Sequence, residues 1–86
     1  MPRVSEFQGV VITMYVREHP PPHFHARYGD SYASIEIDTG KLIRGDLPRP
    51  QLKLVREWML LHRSELRGNW ELVRNRRSPK TISPLR

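Results

Sequence analysis

Apolar and polar residues alternate through the first half of this chain and recur at steps of three and four in the second, a pattern of strands followed by helix. Val10, Ile12, Met14 and Val16 share one side of a β-branched, aromatic-rich run, with Val11, Thr13 and Tyr15 on the other. The wholly apolar set predicts a core face. Before it, Ser5-Glu6-Phe7 reads as a short strand closed by a Gln8-Gly9 turn. A third strand is expected over 23–28, where Phe24, Ala26 and Tyr28 alternate with His23, His25 and Arg27. After a Gly29-Asp30-Ser31 turn the return strand runs over 32–38, with Ala33, Ile35 and Ile37 inward and Ser34, Glu36 and Asp38 outward. A turn at Asp38-Thr39-Gly40 leads to a short last strand over 41–44.

That parity sets a His/Arg row across from a Ser/Glu/Asp row. One register pairs His23 with Glu36; a slip of two residues pairs His25 with Glu36 and His23 with Asp38. The pattern alone leaves both open.

From Gln51 the period changes. Leu52, Val55, Met59, His62, Leu66, Trp70 and Val73 form one apolar stripe, and Lys53, Arg56, Arg63, Arg67 and Arg74 fall on the opposite, solvated side. Pro50 suits a helix's first turn. An unbroken helix over 50–75 would be about 39 Å long at 1.5 Å per residue, longer than so small a domain is wide. Gly68-Asn69 is the natural place for a break. Leu54, Leu61 and Leu72, with Trp58 between them, widen the apolar arc beyond what one sheet face covers. The excess is met either by loop and tail residues or by a partner or second copy of the chain. The fold expected is α+β: an antiparallel four- to five-stranded β-meander packed on a long helix in the C-terminal half. One domain spans 1–75, and a basic flexible tail follows over 76–86.

Composition narrows the functional classes. There is no cysteine, which excludes disulfides and thiolate metal sites. No apolar run approaches the ~20 residues of a membrane span, and residues 1–5 do not resemble a signal peptide. A cytoplasmic protein without membrane contact is the expectation. The net charge of +6 is large for 86 residues and makes an acidic partner plausible. Much of the excess sits at the end, where Arg74, Arg76, Arg77, Lys80 and Arg86 meet no acid after Glu71. Those tail cations are the candidate contacts to RNA or DNA phosphates.

The chemistry-bearing stretch is His19-Pro20-Pro21-Pro22-His23-Phe24-His25. Imidazoles titrate near neutrality, so His23 and His25 could act as base and acid in metal-independent RNA cleavage. Arg27 would steady the phosphate, with Tyr15 or Tyr32 in reach. A metal held by the two histidines, with Glu36 or Asp38 and His19, is the weaker reading, because structural zinc sites close with four ligands. The reading assigns no metal and no cofactor. The plainer alternative makes the stretch a folding device: the prolines set the strand entry, Phe24 anchors the core, and the histidines hydrogen-bond to Glu36, Asp38 or Ser34. His62, inside the apolar stripe, is expected to be a buried, hydrogen-bonded residue. Phosphate-binding glycine loops, His-Glu-x-x-His helices and nucleophile elbows are missing from the sequence.

The residues Pro21-Pro22-His23-Phe24-His25, Tyr28-Gly29-Asp30, Asp38-Thr39-Gly40, Leu52-Lys53-Leu54-Val55-Arg56-Glu57-Trp58, His62-Arg63-Ser64-Glu65-Leu66 and Asn69-Trp70-Glu71-Leu72 resemble the bacterial family called domain of unknown function 4160. The resemblance runs from Phe7 to about Pro84. Gly68 and the arginine-rich tail depart from it. The resemblance implies no catalytic residues. It implies small prokaryotic proteins encoded beside another small protein, as in toxin–antitoxin pairs, and so a cognate small protein as partner. The first expectation is therefore an interaction module in such a pair, with Leu54, Trp58 and Leu61 toward a partner or a second copy as a homodimer, Glu36 and Asp38 supporting the histidines, and nucleic acid on the tail. The alternative is a small ribonuclease acting through His23, His25 and Arg27.

Overall fold

The computed structural model describes residues 3–16 and 19–85. The expectations that rest on Arg17, Glu18 and Arg86 therefore lie outside the described residues. Five strands, β1 (Arg3–Phe7), β2 (Val10–Thr13), β3 (His23–Tyr28), β4 (Ser31–Glu36) and β5 (Leu42–Asp46), precede two helices, α1 (Arg49–Leu61) and α2 (Arg63–Arg74). The strands form one antiparallel sheet in sequence order, so each pairs with its chain neighbour. The fold is α+β.

Local chemistry accounts for the hairpins. Gln8 and Gly9 both take positive φ, 47° and 82°, the twist a two-residue turn needs to match right-handed strands. Phe7 then pairs directly with Val10. β3 and β4 pair with His23 opposite Glu36, Phe24 opposite Ile35 and His25 opposite Ser34, which selects the first of the two registers. Phe24, Ala26, Ala33, Ile35 and Ile37 are fully buried, as their parity requires. β2 is shorter than expected. Its ladder stops where Thr13 meets His25, and Val16 is 42% exposed, while Met14 remains in the core. The chain must leave the sheet there to reach the prolines. β5 begins and ends later than expected because a register shift opposite Ser34 and Ile35 lets Ile43 bulge outward. Gly45 completes this edge: at φ +72°, an added Cβ would lie 2.0 Å from the Tyr32 carbonyl oxygen.

The helical half corrects the expected break. Residues 68 and 69 are helical, and the interruption falls at His62, with φ −123° and ψ 25°. The His62 amide donates to the carbonyls of Trp58 and Met59, and its carbonyl accepts from Leu66, so the helix resumes at once. His62 is half-buried, donating through Nδ1 to Glu65 at 2.6 Å and lying against the Trp58 ring. The physical reason is length. The longest dimension of the molecule is 33 Å, so a straight helix of about 39 Å would overrun the sheet. A single non-helical residue divides the helical stretch into two shorter helices.

The cationic side of α1 and α2 is not simply solvated. Arg56 donates to the Gly40 carbonyl, Arg63 to the Ile37 carbonyl, and Arg67 pairs with Asp38 at 2.7 Å. Three arginines thus hold the β4–β5 turn to the helices. Val55, Trp58, Met59, Leu66, Trp70 and Val73 share one core with the inner side of the sheet.

Trp58 belongs to the centre of that core rather than to a partner surface. It is fully buried, packed on Phe7 and Phe24, and its indole N–H donates to the Ser83 carbonyl at 2.8 Å. Ser83 lies in the segment expected to be a basic flexible tail. The amide of Ile82 donates to the Val4 carbonyl of β1, the Ile82 side chain is buried, and Asn69 clasps Lys80 by donating to its carbonyl and accepting from its amide. Tail residues therefore cover part of the wide apolar arc. The reason is an unmet need: β1 is an edge strand with unpaired backbone groups, and a buried indole requires an acceptor.

Candidate functional site

The site is the outer face of the sheet, opposite the helices. Strand parity builds it, because residues that alternate with the core set must point outward. Register then aligns one row across all five strands: Arg3 opposite Thr13, Thr13 opposite His25, His25 opposite Ser34, and Ser34 opposite Arg44. His25 is at the centre, with a hydroxyl on each side and an arginine at each end. The next row carries Val11, Arg27, Tyr32 and Asp46.

His25 is the best-held side chain of the face. It is 8% exposed. Its Nδ1 lies 2.6 Å from the Tyr32 hydroxyl and 3.2 Å from the Ser34 hydroxyl, and those two hydroxyls are 3.2 Å apart. The ring stands edge-on to Tyr15 at 4.8 Å and to His23 at 5.1 Å, and stacks with Tyr32 at 5.7 Å. A closed hydrogen-bond triangle within an aromatic collar fixes the imidazole in position.

His23 is held differently. Its Nδ1 donates to the Pro21 carbonyl at 2.8 Å, since a carbonyl can only accept, and its ring lies 5.3 Å from Trp70 of α2. The proline segment, in which the Pro20–Pro21 bond is cis, thereby fixes the ring as well as the strand entry.

The structure brings His23, His25 and Arg27 onto one face, with Tyr15 and Tyr32 beside them. Glu36 stands opposite His23, and its carboxylate accepts from the Thr39 hydroxyl at 2.5 Å. Asp38 does not reach the histidines. β4 ends at Glu36, and the following turn carries Asp38 to Arg67. Among the described residues no group of three or more His, Asp or Glu side chains is arranged to hold a metal ion.

Two grooves meet at His25. One, of about 160 Å³, is lined by Arg3, Thr13, Tyr15, Arg27 and Tyr32; the other, of about 260 Å³, by His19, Pro21, His23, Ser34 and Arg44. Among the described residues neither is lined by a carboxylate. Glu6 is paired with Arg3 at 2.8 Å, and Asp46 accepts from the Leu47 amide. Arg27 and Arg44 have no carboxylate partner among the described residues. Arg44 lies inside the expected strand over 41–44 but on the same phase as the half-buried Leu42, and only the register shift at Ile43 moves it to the outer row.

Of the expected tail cations, Arg74 contacts Glu71 at 3.4 Å, and Lys80 is anchored by its backbone to Asn69. Arg76 and Arg77 are exposed. On the helices, Leu54 is half-buried and packs on the core, whereas Leu61 is 70% exposed and Leu60, which the sequence reading passed over, 64%. No helix of the described residues is long and apolar enough to cross a membrane.

A small α+β protein with a five-stranded antiparallel sheet, one covered face and one open polar face is the class that fold and site define. The family model described as domain of unknown function (DUF4160) matches residues 9–71, and the chain belongs to that family. No curated protein matches the chain, and no solved structure does. β1 and the segment after Asn75, which hydrogen-bond to each other through Val4 and Ile82, both lie outside the matched residues.

Proposed function

We propose that this protein is an interaction module that binds a small cognate protein in the cytoplasm, in an arrangement of the toxin–antitoxin kind. The observation that carries the reading is the pair Leu60 and Leu61, both largely exposed at the end of α1. Leu60 also lines a broad groove of about 670 Å³ with Leu42, Leu47 and Leu52, between β5 and α1. Isolated exposed leucines are ordinary, but two adjacent ones continuous with an apolar groove fit a docking surface. Arg49, Lys53 and Arg56 stand along that groove against two acids, Asp46 and Glu57, of which Asp46 accepts from the Leu47 amide. The partner that fits offers an apolar segment flanked by acidic residues.

Geometry favours binding over phosphodiester cleavage. An acid–base pair must flank the scissile phosphate, each nitrogen within hydrogen-bond reach of a different oxygen. The His23 and His25 rings instead meet edge to face at 5.1 Å, with no gap between them for a phosphate group.

Co-expression with the small protein encoded alongside, followed by size-exclusion chromatography, tests the reading. Co-elution is expected for the wild type and its loss for Leu60→Asp/Leu61→Asp, at unchanged melting temperature. A wild-type protein that elutes alone would overturn the proposal. Growth arrest on induction, relieved in a folded His23→Ala/His25→Ala variant, would replace it with the ribonuclease reading.

A further inference from the structure

We propose that the outer face of the sheet binds single-stranded RNA, with phosphates on Arg27 and Arg44 and a base against the exposed ring of Tyr32. The inference needs no partner protein and moves nucleic-acid contact from the tail to the sheet.

Three observations converge on it. The first is charge distribution. The outer face carries both signs, yet among the described residues no carboxylate lines either groove. Glu6, Glu36 and Asp46 are each engaged by Arg3, the Thr39 hydroxyl and the Leu47 amide respectively. Arg27 and Arg44, each beside one of the grooves, have no carboxylate partner among the described residues. An unpaired guanidinium offers the planar donor fork that phosphate oxygens fit.

The second is aromatic surface. Tyr15, His25, Tyr32 and His23 form a continuous group of rings on the same face. Tyr32, at its edge, is 39% exposed, and its hydroxyl is tethered to His25, so the ring is held in place before a base arrives. Base-on-aromatic stacking is available to every base and needs only an accessible π-face.

The third is size and form. Arg3 and Arg44 terminate a row that crosses four inter-strand gaps, about 19 Å at 4.7–4.9 Å each. A sheet of this width accommodates about two or three stacked bases. A duplex offers no unstacked base to Tyr32, which favours a single strand. Thr13, His25 and Ser34 are short hydrogen-bonding groups along the row that line the two grooves. They suit a 2′-hydroxyl, which both donates and accepts, and so favour RNA over DNA.

Fluorescence anisotropy with a fluorescein-labelled, single-stranded uridine-rich RNA of about twelve nucleotides, titrated at low and moderate salt, tests the proposal. Arg27→Gln/Arg44→Gln should weaken binding at least about tenfold. It should also reduce the slope of log affinity against log salt by about 1.4, two contacts at ~0.7 each. Tyr32→Leu should weaken binding about tenfold with the slope unchanged. Arg76→Gln/Arg77→Gln should bind as the wild type does, and both arginine double variants should melt within about 2 °C of it, as exposed substitutions generally do. Tyr32→Leu also removes the hydroxyl's bonds to His25 and Ser34, so its binding is compared at a temperature where its melting curve shows it fully folded. Absence of RNA binding by the wild-type protein would overturn the proposal. So would loss confined to the tail variant, or tighter binding of single-stranded DNA or duplex RNA of the same length.

Discussion

The two faces of the sheet come from the same strands and differ by one residue of phase. On the inner face Ile12, Phe24, Ala26, Ala33 and Ile35 lie in the core with Trp58. On the outer face Thr13, His25, Arg27, Ser34 and Arg44 occupy the alternate positions. Nearly all the apolar burial is on one side, and nearly all the groups able to hold a ligand are on the other. The inner face is intolerant of changes in volume and of any polar group left without a partner; the outer face should tolerate both better in stability. His25, Ser34 and Thr13 join the two, outer-face residues nearly as buried as core residues; Tyr15, Tyr32 and His23 surround the imidazole of His25.

The comparison predicts a gradient of effects. The greatest should come from Trp58→Ala, which removes the largest fully buried side chain and leaves the Ser83 carbonyl without its donor. Urea unfolding should show a loss of about 3–5 kcal/mol; a loss below about 1 kcal/mol would place Trp58 outside the core. Next is Asn69→Ala, which breaks both hydrogen bonds to Lys80 and frees the covering segment. A cost of about 1–3 kcal/mol and faster proteolysis after Asn75 are expected, and an unchanged cleavage rate would deny that Asn69 holds the segment down. Gly45→Ala should cost more than about 1 kcal/mol, because the edge needs positive φ there and the new methyl meets the Tyr32 carbonyl; thermal melting reports it. On the outer face, Arg27→Gln and Arg44→Gln should each change stability by no more than about 0.5 kcal/mol while weakening RNA binding. A larger loss would mean these arginines support the fold. Smallest is Ser5→Ala. The buried Ser5 hydroxyl has no hydrogen-bond partner among the described residues, so removing it should be neutral or slightly stabilising in the same urea assay.

Strand parity was legible residue by residue. β3 was read at its observed bounds, and Ala33, Ile35 and Ile37 were read inward, because a period of two has only two phases and one was apolar. The proper register was one of two choices, since turn geometry and the β4 end at Glu36, not hydrophobicity, separate them. Asp38 shows the limit. Parity put it beside the histidines, but the chain turns before it, and Arg67 from a distant helix takes the carboxylate.

The apolar stripe of the helical half was equally plain, from Val55 to Val73, whereas the break was not. Gly68 and Asn69 carry the local signal for a stop, and a buried Asn69 with two tertiary hydrogen bonds overrides it. His62 carries little such signal. Its deviation follows from the length of the sheet beneath the helices, a quantity absent from any local window.

The sequence by itself determined the α+β order of elements, the side of each strand that enters the core and the placing of His23, His25 and Arg27 together, because these follow from periodicity along a single chain. Tertiary structure alone decided that β5 would carry Arg44 into the row of His25, that Trp58 would be sealed by Ser83, and that Leu60 and Leu61 would stay uncovered. Each of these depends on which distant segment arrives to satisfy an exposed edge, a buried donor or an apolar ridge. Local propensity cannot choose that segment; only the packed chain supplies it.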